Sequence, residues 1–158
     1  MAQAQTVPDG ANLSALGAPA STTVWDLQGN ATVGSLITLP TGAPGLTING
    51  ASGSSIVTLT GGRFNNGATA ATLVLGGGDI TFTGGVNNSG NGGVISSTAN
   101  FTLNGDNAGA LTFTGNIAGG AGAIFSNTGT IAITGDYDAI SFNNNHANGG
   151  GTVGGGAM

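Results

Sequence analysis

"LTFTGNIAGGAGAIFSNTGTIAITGDYD", Leu111 to Asp138, lines up residue by residue with "ITFTGGVNNSGNGGVISSTANFTLNGDN", Ile80 to Asn107. A third copy opens at Ile140 as "ISFNNNHANGGG". The anchors are Phe82, Phe113 and Phe142, spaced 31 and 29 residues apart. Phe64 in "GGRFNNG" is an earlier, out-of-period candidate anchor. Self-similarity at 20 to 50 residues is the signature of solenoids, propellers and arrays.

Each cycle holds three strand-length apolar bursts closed by Gly, Asn, Asp or Ser. In one copy they are Ala110 to Phe113, Ala123 to Phe125 and Thr130 to Thr134. One cycle earlier they are Asp79 to Phe82, Val94 to Ser96 and Phe101 to Leu103. Helix is disfavoured, because Gly recurs too densely and costs about 1 kcal/mol relative to Ala inside a helix. A propeller blade needs four strands in about 40 residues. Three strands in about 30 residues match one triangular turn of a parallel β-helix, with each burst forming one side.

The spacing therefore predicts an all-β chain: a parallel β-helix, right-handed, with an irregular N-terminal cap and about four turns. Inward side chains stack on their equivalents, so Phe82, Phe113 and Phe142 are expected to form an internal column. The corners are expected at Asn87 to Gly93, Asn104 to Gly109 and Asn143 to Gly151, where Gly and Asn accept tight or left-handed backbone. Stacked Asn side chains can bond along the axis. Residues 1–50 read as the cap and first irregular strands, with candidates at Thr22 to Trp25 and Ser35 to Leu39. Trp25 reads as an end-of-core residue. Residues 51–158 read as the repeating turns. The chain stops at "GGGAM", inside an apparent next turn, and "MAQAQTVPDG" resembles the start of a leader-processed protein. An N-terminal fragment of a longer chain is expected.

Composition narrows the function classes. Of 158 residues, 33 are Gly, none is Cys, and only 4% are charged, against roughly 25% in ordinary domains. Arg63 is the only fixed cation and all six acids are Asp, giving a net charge of -5. That is no footprint for nucleic acid. Hydrophobic residues at 39%, concentrated in strand-length bursts, argue against low-complexity disorder.

Two tetrapeptides carry a resemblance. Phe113-Thr-Gly-Asn116 and Phe142-Asn-Asn-Asn145 match F-x-x-N. Gly92-Gly93-Val94-Ile95, Gly122-Ala123-Ile124 and the terminal Gly155-Gly-Ala-Met158 approach GGA followed by Ile, Leu or Val. Phe64 to Gly67 and Phe82 to Gly85 depart from F-x-x-N at the last position. Over Gly61 to Met158 the sequence resembles the chlamydial polymorphic outer membrane proteins. The resemblance implies an autotransporter passenger: a β-helical, non-enzymatic adhesin on a Gram-negative surface. Its partner would be a host-cell receptor or glycan, with no nucleic acid bound, no membrane insertion by this segment and no cofactor. A self-assembling extracellular structural solenoid is the alternative, since a nearly uncharged open end invites head-to-tail pairing.

Chemistry has few candidates. Glycoside hydrolysis uses two carboxyl groups, and Asp136 and Asp138 in "GDYD" are the nearest pair. A lyase needs a basic residue, and Arg63 lies far off in sequence. "GDYD" with Asn143 to Asn145 could hold Ca2+ through oxygens; the plainer reading is a turn whose Asp side chains bond local N–H groups. "GGGD", Gly76 to Asp79, lacks tandem nonapeptides. His146 reads as a solvated loop residue and Tyr137 as a core or contact residue. An ice- or glycan-binding solenoid would show flat Thr ladders; Thr is frequent here, but not as a regular T-x-T array.

Overall fold

The computed structural model describes residues 3–87, 92–120, 122–127 and 129–148. The chain is a parallel β-solenoid of about four turns. Its short N-terminal strands are β1 (Gln3–Val7), β2 (Ala11–Asn12), β3 (Thr23–Leu27), β4 (Ala31–Val33) and β5 (Ile37–Thr38). The long strand β6 (Leu46–Leu59) is followed by β7 (Phe64–Asn65). Next come β8 (Ala71–Thr83), β9 (Val86–Asn87) and β10 (Ile95–Ser97). β11 (Phe101–Thr114), β12 (Ile117–Ala118) and β13 (Phe125–Asn127) form the following turn. β14 (Ile131–Asn143) and β15 (His146–Ala147) belong to the last described one.

Three parallel sheets wrap the core. The largest stacks β1, β3, β6, β8, β11 and β14, with β4 joining β2 to β6. A second stacks β5, β7, β10 and β13, and a third β9, β12 and β15. The expected triangle is present, with one difference. The bursts "TIAI" and "AISF" are not two separate strands but the two halves of β14, bent at the Gly135 region. Asn104 to Gly109 is likewise a bend inside β11, where the pairing to β14 shifts between Gly105 and Ala108. The sequence boundary at residue 50 falls within β6, and the same sheet runs across it. β3 and β4 pair with the two halves of β6.

Alternation explains the core. In β11, Phe101, Leu103, Leu111 and Phe113 point inward and are buried, while Thr102, Thr112 and Thr114 face out half-exposed. Phe113 stacks between Phe82 and Phe142, with ring centroids 5.4 and 5.6 Å apart. Phe64 belongs to a different column. It lies in register with Ile37 and Ile95, and Ile95 with Phe125. Its broken spacing to Phe82 arises because the two residues occupy different sides of the triangle.

The interior bulk migrates along the axis. One column reads Trp25, Ile48, Leu75, Gly105, Gly135 and shrinks. The column opposite it on the same strands reads Ala31, Val57, Phe82, Phe113, Phe142 and grows. A large residue in one half-strand is matched by a smaller one in the other, which keeps each layer filled.

Candidate functional site

The family-motif residues form a clip. Asn116 is fully buried. Its Nδ2 donates to the Phe82 carbonyl at 3.3 Å and to Asn145 Oδ1 at 2.9 Å. Its Oδ1 accepts the Gly85 N–H at 3.0 Å. One turn on, Asn145 repeats the pattern: Nδ2 donates to the Phe113 carbonyl at 2.9 Å, and Oδ1 accepts the Asn116 N–H at 3.1 Å. Each F-x-x-N asparagine therefore fastens its own corner to the corner one turn earlier.

Gly85 departs from the motif for a steric reason. A Cβ there would stand 2.5 Å from the Gly93 carbonyl oxygen and 2.8 Å from Asn116 Oδ1. The position before the asparagine is left-handed in all three copies, at Gly84, Gly115 and Asn144 (φ 73°, 65° and 53°). Only residues tolerant of αL suit it.

The second motif is a buried corner. Gly92, Gly93 and Val94 donate N–H groups to the carbonyls of Gly122, Ala123 and Ile124 at 3.0, 2.9 and 3.1 Å. Ile95 donates to the Ile124 carbonyl at 2.9 Å. All of these residues are buried. Gly155 to Met158 lies outside the described residues, as does part of the predicted corners at Asn87 to Gly93 and Asn143 to Gly151. Nine of the eleven motif residues are buried, and Phe142 and Asn145, in the last described turn, are half-exposed.

The surface concavity lies elsewhere, along the bends of the long strands. It encloses about 830 Å³ and is lined by Ser52 to Ser54, Gly77 to Asp79, Asn107 to Gly109 and Gly135 to Asp138. A smaller hollow of about 360 Å³ around Asp26, Gln28 and Asn49 shares Ser52 with it. Small residues at successive bends leave the trough open. Sequence reading missed the trough, because the bends read as plain corners and their stacking depends on register.

Within the trough Asp79 is occupied, its Oδ1 accepting the Ala110 N–H of the next turn at 2.8 Å. Asp136 and Asp138 are exposed and hold no hydrogen bond among the described residues, so the expected local Asp–N–H turn is not formed. No three His, Cys, Asp or Glu side chains cluster there or elsewhere among the described residues. Tyr137 packs its ring over Gly105, where a Cβ would lie 2.8 Å from Tyr137 Cε2. Its hydroxyl is buried without a partner, and burial pushes the phenol up from 10.0 to about 12. Arg63 is half-buried on another side, its Nε also without a partner. His146 is exposed in β15.

The trough offers carboxylates, hydroxyls and Asn, with no basic side chain among its lining residues. That chemistry suits a neutral polyhydroxylated ligand or a weakly held cation. No family model, no curated protein and no solved structure matches the chain.

Proposed function

We propose that the chain is a non-enzymatic section of a bacterial surface solenoid, resembling an autotransporter passenger and acting as an adhesin toward host cells. The observation that supports this is the use of the repeated residues. The Phe, Asn and Gly of each repeat stack and fasten turns, so the repeat specifies length, and contact falls to the outer faces. The axial trough is the contact surface we assign, with a cell-surface receptor or glycan as partner. The site of action is the outer-membrane surface or the exterior.

Beads coated with the purified chain test this reading on cultured host cells. Saturable binding, competed by soluble chain and lost in Ser54→Trp/Asp138→Trp, is expected. Beads that bind no better than albumin-coated ones overturn the adhesin reading.

A second reading, a self-assembling extracellular solenoid, is favoured by one observation. On β14 the apolar Ile131, Ile133, Ile140 and Phe142 are half-exposed, and among the described residues the outer edge of β14 pairs with nothing.

A further inference from the structure

The outer face of the second half-strands carries an array that the linear sequence hides. Thr32, Thr58, Thr83 and Thr114 stand in unbroken register on β4, β6, β8 and β11. Thr81 and Thr112 form a second rank two residues away. Ile56 precedes this rank and Ser141 follows it. The two T-x-T tripeptides, 31 residues apart in the chain, become an array by stacking: Thr81-Phe82-Thr83 lies on Thr112-Phe113-Thr114.

The array is regular in both directions. Turns stack about 4.8 Å apart, and residues two apart on a strand lie about 6.7 Å apart. The Phe rings directly beneath the face differ in plane by only 15° and 6°, so the layer that supports the Thr residues repeats from turn to turn. The six Thr are half-exposed, and none of their hydroxyls hydrogen-bonds within the chain among the described residues.

The occupant follows from what the face holds. Its threonines carry no charge, and the carboxylate beside them, Asp79, accepts the Ala110 N–H, so a phosphate or other anionic ligand has nothing to pair with. It has no outward aromatic ring, the usual platform for a sugar ring or base. It presents methyl and hydroxyl groups at a fixed two-dimensional spacing. Hydroxyls anchor water by hydrogen bonds, and methyls leave neighbouring water to bond to other water. Water held in register on a regular lattice can join a crystal of water.

We propose that this Thr face binds ice. The inference stands apart from the adhesin reading, which uses the trough on the bends, so either can fail alone.

Ice-affinity partitioning and single-crystal growth with the purified chain provide the test. The wild-type chain should be enriched in the ice fraction several-fold over albumin and should produce faceted crystals. Thr83→Tyr/Thr114→Tyr should lose at least tenfold of that enrichment, with an unchanged circular dichroism spectrum. Thr102→Tyr, on the other half of β11, should retain it. Should the double variant misfold, Thr83→Lys serves in its place, and the wild-type measurement already decides the question. Wild-type chain that is excluded from ice like albumin, or that is retained only on crystalline cellulose or chitin, overturns the proposal, as does full activity in the Tyr variant.

Discussion

The two ends of the solenoid are built from different residues. At the N-terminal end, β1 exposes Ala4, Gln5 and Thr6 and buries Val7, with the polar Gln5 in register over Trp25. A short 3-10 turn at Leu13–Ala15 drops a fully buried Leu13 into the end of the core. Trp25, the bulkiest side chain, fills the next layer at 1% exposure. At the other end, β14 keeps the composition of an internal turn, and its inward residues Ile131, Ile133, Ile140 and Phe142 are half-exposed. A stacked core is a template that continues until something changes its composition. The N-terminal layers change it with polar strand residues and a plug, whereas β14 does not.

The largest contrast should appear in the Phe column. Phe113 is fully buried with rings on both sides, while Phe142 has, among the described residues, a ring on one side only. Phe113→Ala should cost about 3–5 kcal/mol of unfolding free energy, the range for a large aromatic cavity. Phe142→Ala should cost well under that. Urea unfolding followed by circular dichroism measures both. Equal costs for the two variants would mean that the ends are closed alike, and the comparison would fail.

The Asn clip should give the next effect. Asn116→Ala removes the partners of the Gly85 N–H and the Phe82 carbonyl and should cost about 1–3 kcal/mol, the penalty for buried groups left unpaired. Asn145 is only half-buried, so water can replace its bonds and Asn145→Ala should cost less. A reversed order in the same unfolding experiment would show that the clip carries its load at the end of the stack and not within it.

Much of this was legible in the sequence. The period, the Phe column and the all-β class follow from apolar bursts at a fixed spacing, because stacking demands equivalent residues at equivalent places. Three features were not. The bends joining two bursts into one strand depend on backbone geometry at Gly77, Asn107 and Gly135, and a Gly or Asn reads the same at a bend or a true corner. Phe64, offered as an out-of-period anchor, belongs to another side of the triangle, and the residue under Phe82 is Val57, which no Phe pattern could mark. The trough and the Thr ranks are properties of register, since their members are neighbours only across turns. The motif residues were found by pattern, yet their use as fasteners became visible only with Asn116 set against Gly85.

The unequal ends also make an association prediction. The half-exposed apolar side chains of β14 and its edge, unpaired among the described residues, should draw a second copy at high concentration, by in-register pairing of the kind that open sheet edges permit. Light scattering over a concentration series should show mass rising above that of a monomer of 14.9 kDa. Ile133→Lys should suppress the rise by placing a charge in the contact. A wild-type chain that stays monomeric at high micromolar concentration removes the support for the self-assembling reading and leaves the adhesin reading in place.

Tyr137 offers the smallest and most local test of the C-terminal end. It is the only Tyr in the chain, so phenolate absorbance reports on it alone. It occupies the space above Gly105, and its buried hydroxyl lacks a partner among the described residues. Burial disfavours the phenolate, which raises the folded value from 10.0 to about 12. The unfolded phenol loses its proton first. Between pH 10 and pH 12 the folded chain therefore holds more protons than the unfolded one, and stability declines as pH rises through that window. Below pH 10 both states hold the proton, and this group contributes no pH dependence. Tyr137→Phe should remove the alkaline decline. At neutral pH it should change stability little or raise it, because it deletes a buried group with no partner to lose. A folded-state titration midpoint at 10 would place the hydroxyl in water. β14 would then be looser over Gly105 than its packing indicates, and the N-terminal end would be the only tightly closed one.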